Sequence, residues 1–241
     1  MRRLRPESML KGTSWLRRAS LILLTLVVSS SVLAQSRDWE MLATRDGIRS
    51  YSREATDFPL PAFRSETIMQ HGLWHLLAIL EDVDRAAEWT AHCREMKKLK
   101  TIGPRTMLVY GRMQAPWPVR DRDVVVRVAV QRAGPSEVFV DIRNTAFAGA
   151  PSLSDVVRMP RMRASYRFRS LGPTRTLVTY QLQVDPGGSL PDWLKRLVAR
   201  NLPHDTLERL RERAAWAYER GLYRARAEQL RHVATTEDHS G

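Results

Sequence analysis

The sequence predicts an α+β fold: an antiparallel sheet covered by one long C-terminal helix. Three observations predict it. First, several stretches alternate strictly between apolar and polar residues, so each strand has one dry and one wet face. The clearest are 162–169, with Met162, Ala164, Tyr166 and Phe168 on one face, and 176–185, with Val178, Tyr180, Leu182 and Val184. Second, short turn signals such as Asp46-Gly47, Gly134-Pro135 and Gly172-Pro173 separate these stretches, which suits antiparallel neighbours. Third, helical spacing is confined to 73–80 and to one long run from Leu190.

In chain order, residues 1–18 carry six Lys or Arg and one Glu, 19–28 form an apolar run, and Ser31-Val32-Leu33-Ala34 supplies small or short residues at cleavage-site positions. That layout predicts a secretory signal peptide over 1–34, with the mature chain starting at Gln35 in the periplasm. The alternative is an uncleaved membrane anchor. Residues 19–34 would make about 24 Å of helix against roughly 30 Å of hydrocarbon. A single domain over 35–233 and a polar, frayed tail over 234–241 complete the organisation.

Within the domain, 48–53 and 62–69 read as strands. Leu73, Leu76, Leu77 and Leu80 share one helical face, and that helix ends near Val83 or runs toward Trp89. Strands follow at 107–113 and 123–131, joined by the stiff Pro116-Trp117-Pro118 turn. In the second, Val124, Val126, Val128 and Val130 share a face and Arg127 points the other way. Asp121, Arg122 and Asp123 sit at the start of that strand, where an exposed turn network would stabilise by roughly 0–1 kcal/mol. Strands at 137–144, 162–169 and 176–185 come next. After Asp185-Pro186-Gly187-Gly188 the terminal helix carries Leu194, Leu197 and Val198, is interrupted and kinked at Pro203, and resumes with Leu207, Leu210, Ala214 and Ala217. One helix about 10 Å across cannot cover six or more strands at ~4.8 Å spacing. Either the sheet curls tightly around it or a space is left between them.

Charge and cysteine usage narrow the partners. Removing the leader leaves 33 basic and 25 acidic residues, a net charge of +8. Export sets nucleic acid aside and leaves transient contact with an anionic membrane surface. Cys93 is the sole cysteine, so no intramolecular disulfide forms.

Four stretches in this order resemble the START family, the steroidogenic-acute-regulatory-related lipid-transfer domains with the helix-grip fold. They are "APWPVRDRD" at 115–123, "VVRMPRMRASYRF" at 156–168, "VTYQLQVDPGG" at 178–188, and the terminal helix from Leu190. "WTAHCREMKKL" at 89–99 looks like the segment after the family's first long helix. The resemblance runs from about Trp39 to Ala227, and the chain closely resembles the exported bacterial members. It implies a hydrophobic tunnel between the curved sheet and the terminal helix, holding one lipid-like ligand. The dry-face residues Val124, Val126, Val128, Met162, Ala164, Tyr166, Phe168, Val178, Tyr180 and Leu182, with Leu194, Leu197 and Val198 of the helix, are the expected ligand contacts. Arg127 faces away from the valines, so the acid–arginine pair of some animal members, and with it sterol specificity, is not carried over.

Catalytic chemistry finds little support. His71 and His75 are four apart, but Gly72 stands where a zinc-hydrolase motif needs glutamate. His204 reads as a surface or capping residue, with a tunnel position as the alternative, and Cys93 as a structural thiol. No nucleophile elbow or phosphate-cradling glycine loop is present, and no cofactor or metal is expected. Arg161, Arg163, Lys195, Arg196 and Arg200 are positioned either to ring a tunnel mouth or to face solvent. The competing functional class is a helix-grip enzyme of the aromatase/cyclase type acting on a hydrophobic substrate.

Overall fold

The computed structural model describes residues 39–238, without the side chains of 192–200 and 237–238. The leader at 1–34, the tunnel positions Leu194, Leu197 and Val198, and the rim candidates Lys195, Arg196 and Arg200 therefore lie outside the described residues.

Ten strands form one sheet: β1 (Glu40–Arg45), β2 (Ile48–Arg53), β3 (Ala62–Met69), β4 (Cys93–Gly103), β5 (Thr106–Met113), β6 (Arg122–Gly134), β7 (Glu137–Asn144), β8 (Val157–Arg158), β9 (Arg161–Gly172) and β10 (Arg175–Asp185). Their order is β1-β2-β3-β10-β9-β7-β6-β5-β4. Every pairing is antiparallel except that of the two-residue β8, which lies parallel to β6. Asp46 and Gly47 turn β1 into β2 with φ of 52° and 71°, the left-handed geometry that tight hairpins require. Helix α1 (Leu73–Glu81) runs into a 3-10 helix (Val83–Glu88), and helices α2 (Asp192–Glu219) and α3 (Arg224–Asp238) end the chain.

Register turns the alternating sequence into one continuous dry face. Tyr180 lies opposite Tyr166, Val178 opposite Phe168, and Leu182 opposite Ala164. Tyr166 in turn faces Val140, and Val140 faces Val130. The α2 residues Leu207, Leu210, Ala214 and Ala217 are fully buried. The helix packs over β2, β3 and β10, where the small buried pair Ser50 and Ser65 hydrogen-bond each other at 2.9 Å. The small Ala214 and Ala217 side chains are fully buried where α2 packs on that half of the sheet. At the other half, α1 lies over the sheet with Leu73, Leu76, Leu77 and Ile79 buried.

Four features differ from the sequence reading. Helix α2 continues through Pro203 as one element, Asp192–Glu219, rather than stopping and resuming there; the proline lacks the N–H that would donate one intrahelical hydrogen bond. Residues 224–238 form the additional helix α3, packed on α1, so the polar stretch from Ala234 is helical as far as Asp238. Ala234 is buried and its carbonyl accepts a hydrogen bond from Arg132. Strands β1 and β4 join the sheet at its two edges. Finally, Asp121, Arg122 and Asp123 are all buried, against the expected exposed turn. Asp121 accepts from Arg112 at 2.8 Å, Arg94 at 3.2 Å and the Ala115 N–H at 3.1 Å. Arg158 grips Asp123 with two bonds, at 2.6 and 3.0 Å. Burial alone would raise the Asp121 carboxyl, but the Ala115 amide and the two guanidiniums overcome it and hold the group below the usual carboxylate range. The segment 145–158 folds back over this end of the sheet, tied by the Thr145 N–H to the Val125 carbonyl and by Arg158 to Asp123. That cover is what converts a surface turn into a buried ion-pair network.

Candidate functional site

Where α2 ceases to cover the sheet, a cavity of about 880 Å³, rim space included, opens between the dry face and the α1–3-10 segment. Strand β6 contributes Val124, Val126, Val128 and Val130 at every second position, answering the alternation of its sequence. Met162, Ala164 and Tyr166 of β9 and Tyr180 of β10 continue the wall, and Val140 and Ile142 of β7 bridge them. Phe168, Val178 and Leu182 are buried in the same apolar core but lie off the cavity wall. They sit where the sheet is in close contact with helices, so their side chains pack against protein.

The rest of the wall comes from residues that alternation did not select. Leu77 and Leu80 of α1, Val83 and Ala86 of the 3-10 helix, and Trp89 form the helical side. Met96 of β4 and Met107, Val109, Gly111 and Met113 of β5 form the opposite edge. Among the described residues, no α2 side chain reaches the cavity. The described part of the helical wall is α1 and the 3-10 helix; Leu194, Leu197 and Val198 of the terminal helix lie outside the described residues. The shared face of Leu77 and Leu80 was the available signal. Methionine at four wall positions gives an unbranched, polarizable lining that adapts its shape.

The electrostatics are spare. No Lys, Arg, His or Cys side chain lines the cavity among the described residues. Its one carboxylate, Glu81, is held from outside by Arg226 of α3 at 2.7–2.8 Å. Tyr166 and Tyr180 stack with ring centroids 4.5 Å apart and are 5% and 7% exposed. Burial raises both phenols above their ordinary range, and for Tyr166 the neighbouring Tyr180 adds to it. Both hydroxyls therefore stay protonated. The buried Thr90 hydroxyl on the same wall has no hydrogen-bond partner among the described residues.

The remaining reactive groups lie elsewhere. Burial pushes the Cys93 thiol up to about 11, and it donates to the Glu95 carbonyl, an inert arrangement. His71 and His75 pack with ring centroids 5.6 Å apart beside Tyr218, outside the cavity. His204 is buried under Arg45, whose Nη2 lies 2.7 Å from its Nδ1 and 3.4 Å from Asp205. With Glu208 these residues have metal-ligand chemistry, but the guanidinium seated on them opposes a cation.

Comparison with known proteins now places the molecule. The family model described as START domain matches residues 24–216. The chain belongs to the START family. An uncharacterized protein of Pseudomonas aeruginosa is 30% identical over 187 residues, covering 78% of this chain and 91% of that protein. The phosphatidylcholine transfer protein of Rattus norvegicus is 25% identical over 168 residues, covering 68% and 78% respectively. Among solved structures, the STAR-related lipid transfer protein of Xanthomonas axonopodis superposes with a TM-score of 0.67 at 27% identity, over 73% of this chain and 98% of that one. Human STARD10 shares the fold, with a TM-score of 0.68 at 20% identity over 87% and 82%. The family is one of lipid-transfer proteins, and the curved antiparallel sheet with C-terminal helices is its helix-grip architecture. The START match ends at 216, within α2, so α3 lies beyond it.

Proposed function

We propose that this START domain binds one hydrophobic or amphipathic lipid in the cavity and acts as a carrier or sensor in the bacterial envelope. The observation that carries the reading is an apolar cavity with no free charge on its described wall. Burying a lipid chain is worth roughly 0.8 kcal/mol per CH₂, so about 12 carbons contribute on the order of 10 kcal/mol gross. The apolar wall thus supplies the affinity. The names of the rat and Xanthomonas relatives, both lipid transfer proteins, support the same direction.

Placement in the envelope rests on the leader-like sequence of 1–34. Contact with a membrane is supported by Trp117, which is 91% exposed between two prolines, with exposed Leu153 and Arg120 nearby in the loops at that end of the sheet. An indole with a basic neighbour suits the headgroup boundary of an anionic bilayer. A carrier is favoured over an aromatase/cyclase-type enzyme by the wall chemistry. Proton transfer needs a positioned acid or base, and the described wall offers raised phenols and a carboxylate already engaged by Arg226.

The test is native mass spectrometry of the full chain purified from its own envelope, with extraction of the bound molecule, followed by transfer between donor and acceptor vesicles. A stoichiometric lipid adduct that moves between vesicles supports the carrier. A retained adduct without transfer favours a sensor. Protein that takes up no lipid refutes the proposal.

A further inference from the structure

The cavity's chemistry specifies more than hydrophobicity. Its described wall holds three hydroxyl side chains, Tyr166, Tyr180 and Thr90, the last without a hydrogen-bond partner among the described residues, and no cationic side chain that could neutralise a negative headgroup. Its one carboxylate, Glu81, repels anions rather than receiving them, and its own counter-ion comes from outside the cavity. A buried ion without a partner is strongly disfavoured, whereas a buried hydroxyl or carbonyl is satisfied by a single hydrogen bond. Tyr166 and Tyr180 are directly opposite in register and their rings stack, so two phenols from adjacent strands line the same part of the cavity.

Size adds a second limit. At ~30 Å³ for a methylene-sized group, taking the share of a liquid water as the scale, the cavity's 880 Å³ admits on the order of 30 such groups even with its rim space counted. One long chain or one compact ring system fits. Two sixteen-carbon chains would need roughly 1,000 Å³ on the same scale before any headgroup is placed.

Resting on the lipid-carrier reading, we infer that the cavity selects a neutral lipid with a single chain or compact ring body, bearing one or two hydroxyl or carbonyl groups that bond Tyr166, Tyr180 and Thr90. It rejects two-chain phospholipids and singly chained anions.

The experiment uses the full chain, freed of bound lipid, at pH 8 with four probes: hexadecan-1-ol, hexadecane, hexadecanoate and dioleoyl phosphatidylcholine. Adducts are quantified by native mass spectrometry and confirmed by retention of radiolabel on gel filtration. The alcohol is expected to bind at least tenfold more tightly than hexadecanoate, with no phosphatidylcholine adduct. Hexadecanoate or phosphatidylcholine bound as tightly as the alcohol overturns the selectivity while leaving the carrier reading intact. Failure of all four probes overturns both. Tyr166→Phe and Tyr180→Phe keep the ring stack and remove only the hydroxyls. Each is expected to weaken the alcohol by roughly fivefold to tenfold, the worth of one hydrogen bond, and to leave hexadecane unchanged. A folded double variant that binds the alcohol as the unsubstituted protein does overturns the assigned polar contacts.

Discussion

Replacing Gly111 by phenylalanine sends a ring into the cavity from the one described wall position that lacks a side chain. Gly111 lies between Met96 and Val124 in register, on the dry face of β5. The nearest atoms to a Cβ built there are Met113 Cε at 3.7 Å and Met96 Cε and Cγ at 4.0 Å, ordinary contacts with flexible side chains. The seven added carbons occupy about 200 Å³ at ~30 Å³ each, close to a quarter of the 880 Å³ available. A chain lipid excluded from that volume loses about seven methylenes of burial at roughly 0.8 kcal/mol each, on the order of 5 kcal/mol, or between a thousandfold and ten-thousandfold in Kd. Stability moves the other way. Removing a mid-strand glycine recovers about 0.5–1 kcal/mol, and a buried ring adds up to about 1.5–3 kcal/mol, less the cost of displacing the methionine tips. The assay pairs hexadecan-1-ol retention with urea unfolding of the lipid-free protein. A folded variant that retains lipid at the original level refutes the cavity as the site. A variant destabilised by more than about 2 kcal/mol shows the space to be closely packed.

Three further outcomes are expected. Arg158→Met leaves the Asp123 carboxylate buried without its partner and costs about 3 kcal/mol in denaturant unfolding, the low end for a stranded charge because Arg158 is itself half exposed; Arg143→Met, at an exposed pair with Asp141, costs under about 1 kcal/mol, and equal costs would contradict the assigned burial. Burial, and for His71 also the nearby His75, lowers both imidazoles below their unfolded value of 6.5. Folding then opposes their protonation, so stability is full above pH 6.5 and falls as the pH drops through the folded pKa values; the thermal midpoint should decline on acidification, and His71→Gln/His75→Gln should flatten that decline measurably. Trp117→Ala should reduce sedimentation with vesicles containing anionic lipid by roughly tenfold, about 1.4 kcal/mol, without altering hexadecan-1-ol retention, and unchanged sedimentation would assign the loop no membrane role.

The strands that sequence made legible are those in which burial follows a period of two. Residues 48–53, 62–69 and 137–144 were bounded to the residue, and β6, β9 and β10 to within three residues at each end. Strand β4 escaped because its pairing with β5 shifts at three places, between Cys93 and Glu95, Lys98 and Lys100, and Thr101 and Gly103. Its half-buried residues therefore fall about every third position, and "CREMKKLKTIG" shows no alternation. Strand β1 escaped because all six of its residues are exposed, leaving hydrophobicity no pattern to mark. Helix α3 carried a faint signal, Leu230, Val233 and Ala234 at helical spacing amid arginines. The valine stripe and the tyrosine pair of the cavity were legible because they share the strands' own periodicity. Met96 was not, because it lies in the irregular strand β4. The burial of Asp121 and Asp123 depends on 145–158 folding back over them, a long-range event that local composition does not encode.

The neighbour relation of β3 and β10 also governs how the molecule comes into being. Phe63 meets Leu182, and Thr67 meets Val178, so the first third of the domain closes only against its last strand. Strands β4 to β9 can assemble progressively from adjacent pieces, but β1, β2 and β3 have no sheet to join until β10 has been made. Ring closure over so long a stretch is entropically slow, and the final strand is at once the seam of the sheet and a wall of the cavity through Tyr180. Acquisition of a lipid compartment and completion of folding are therefore one event, and a chain ending before residue 175 would have neither.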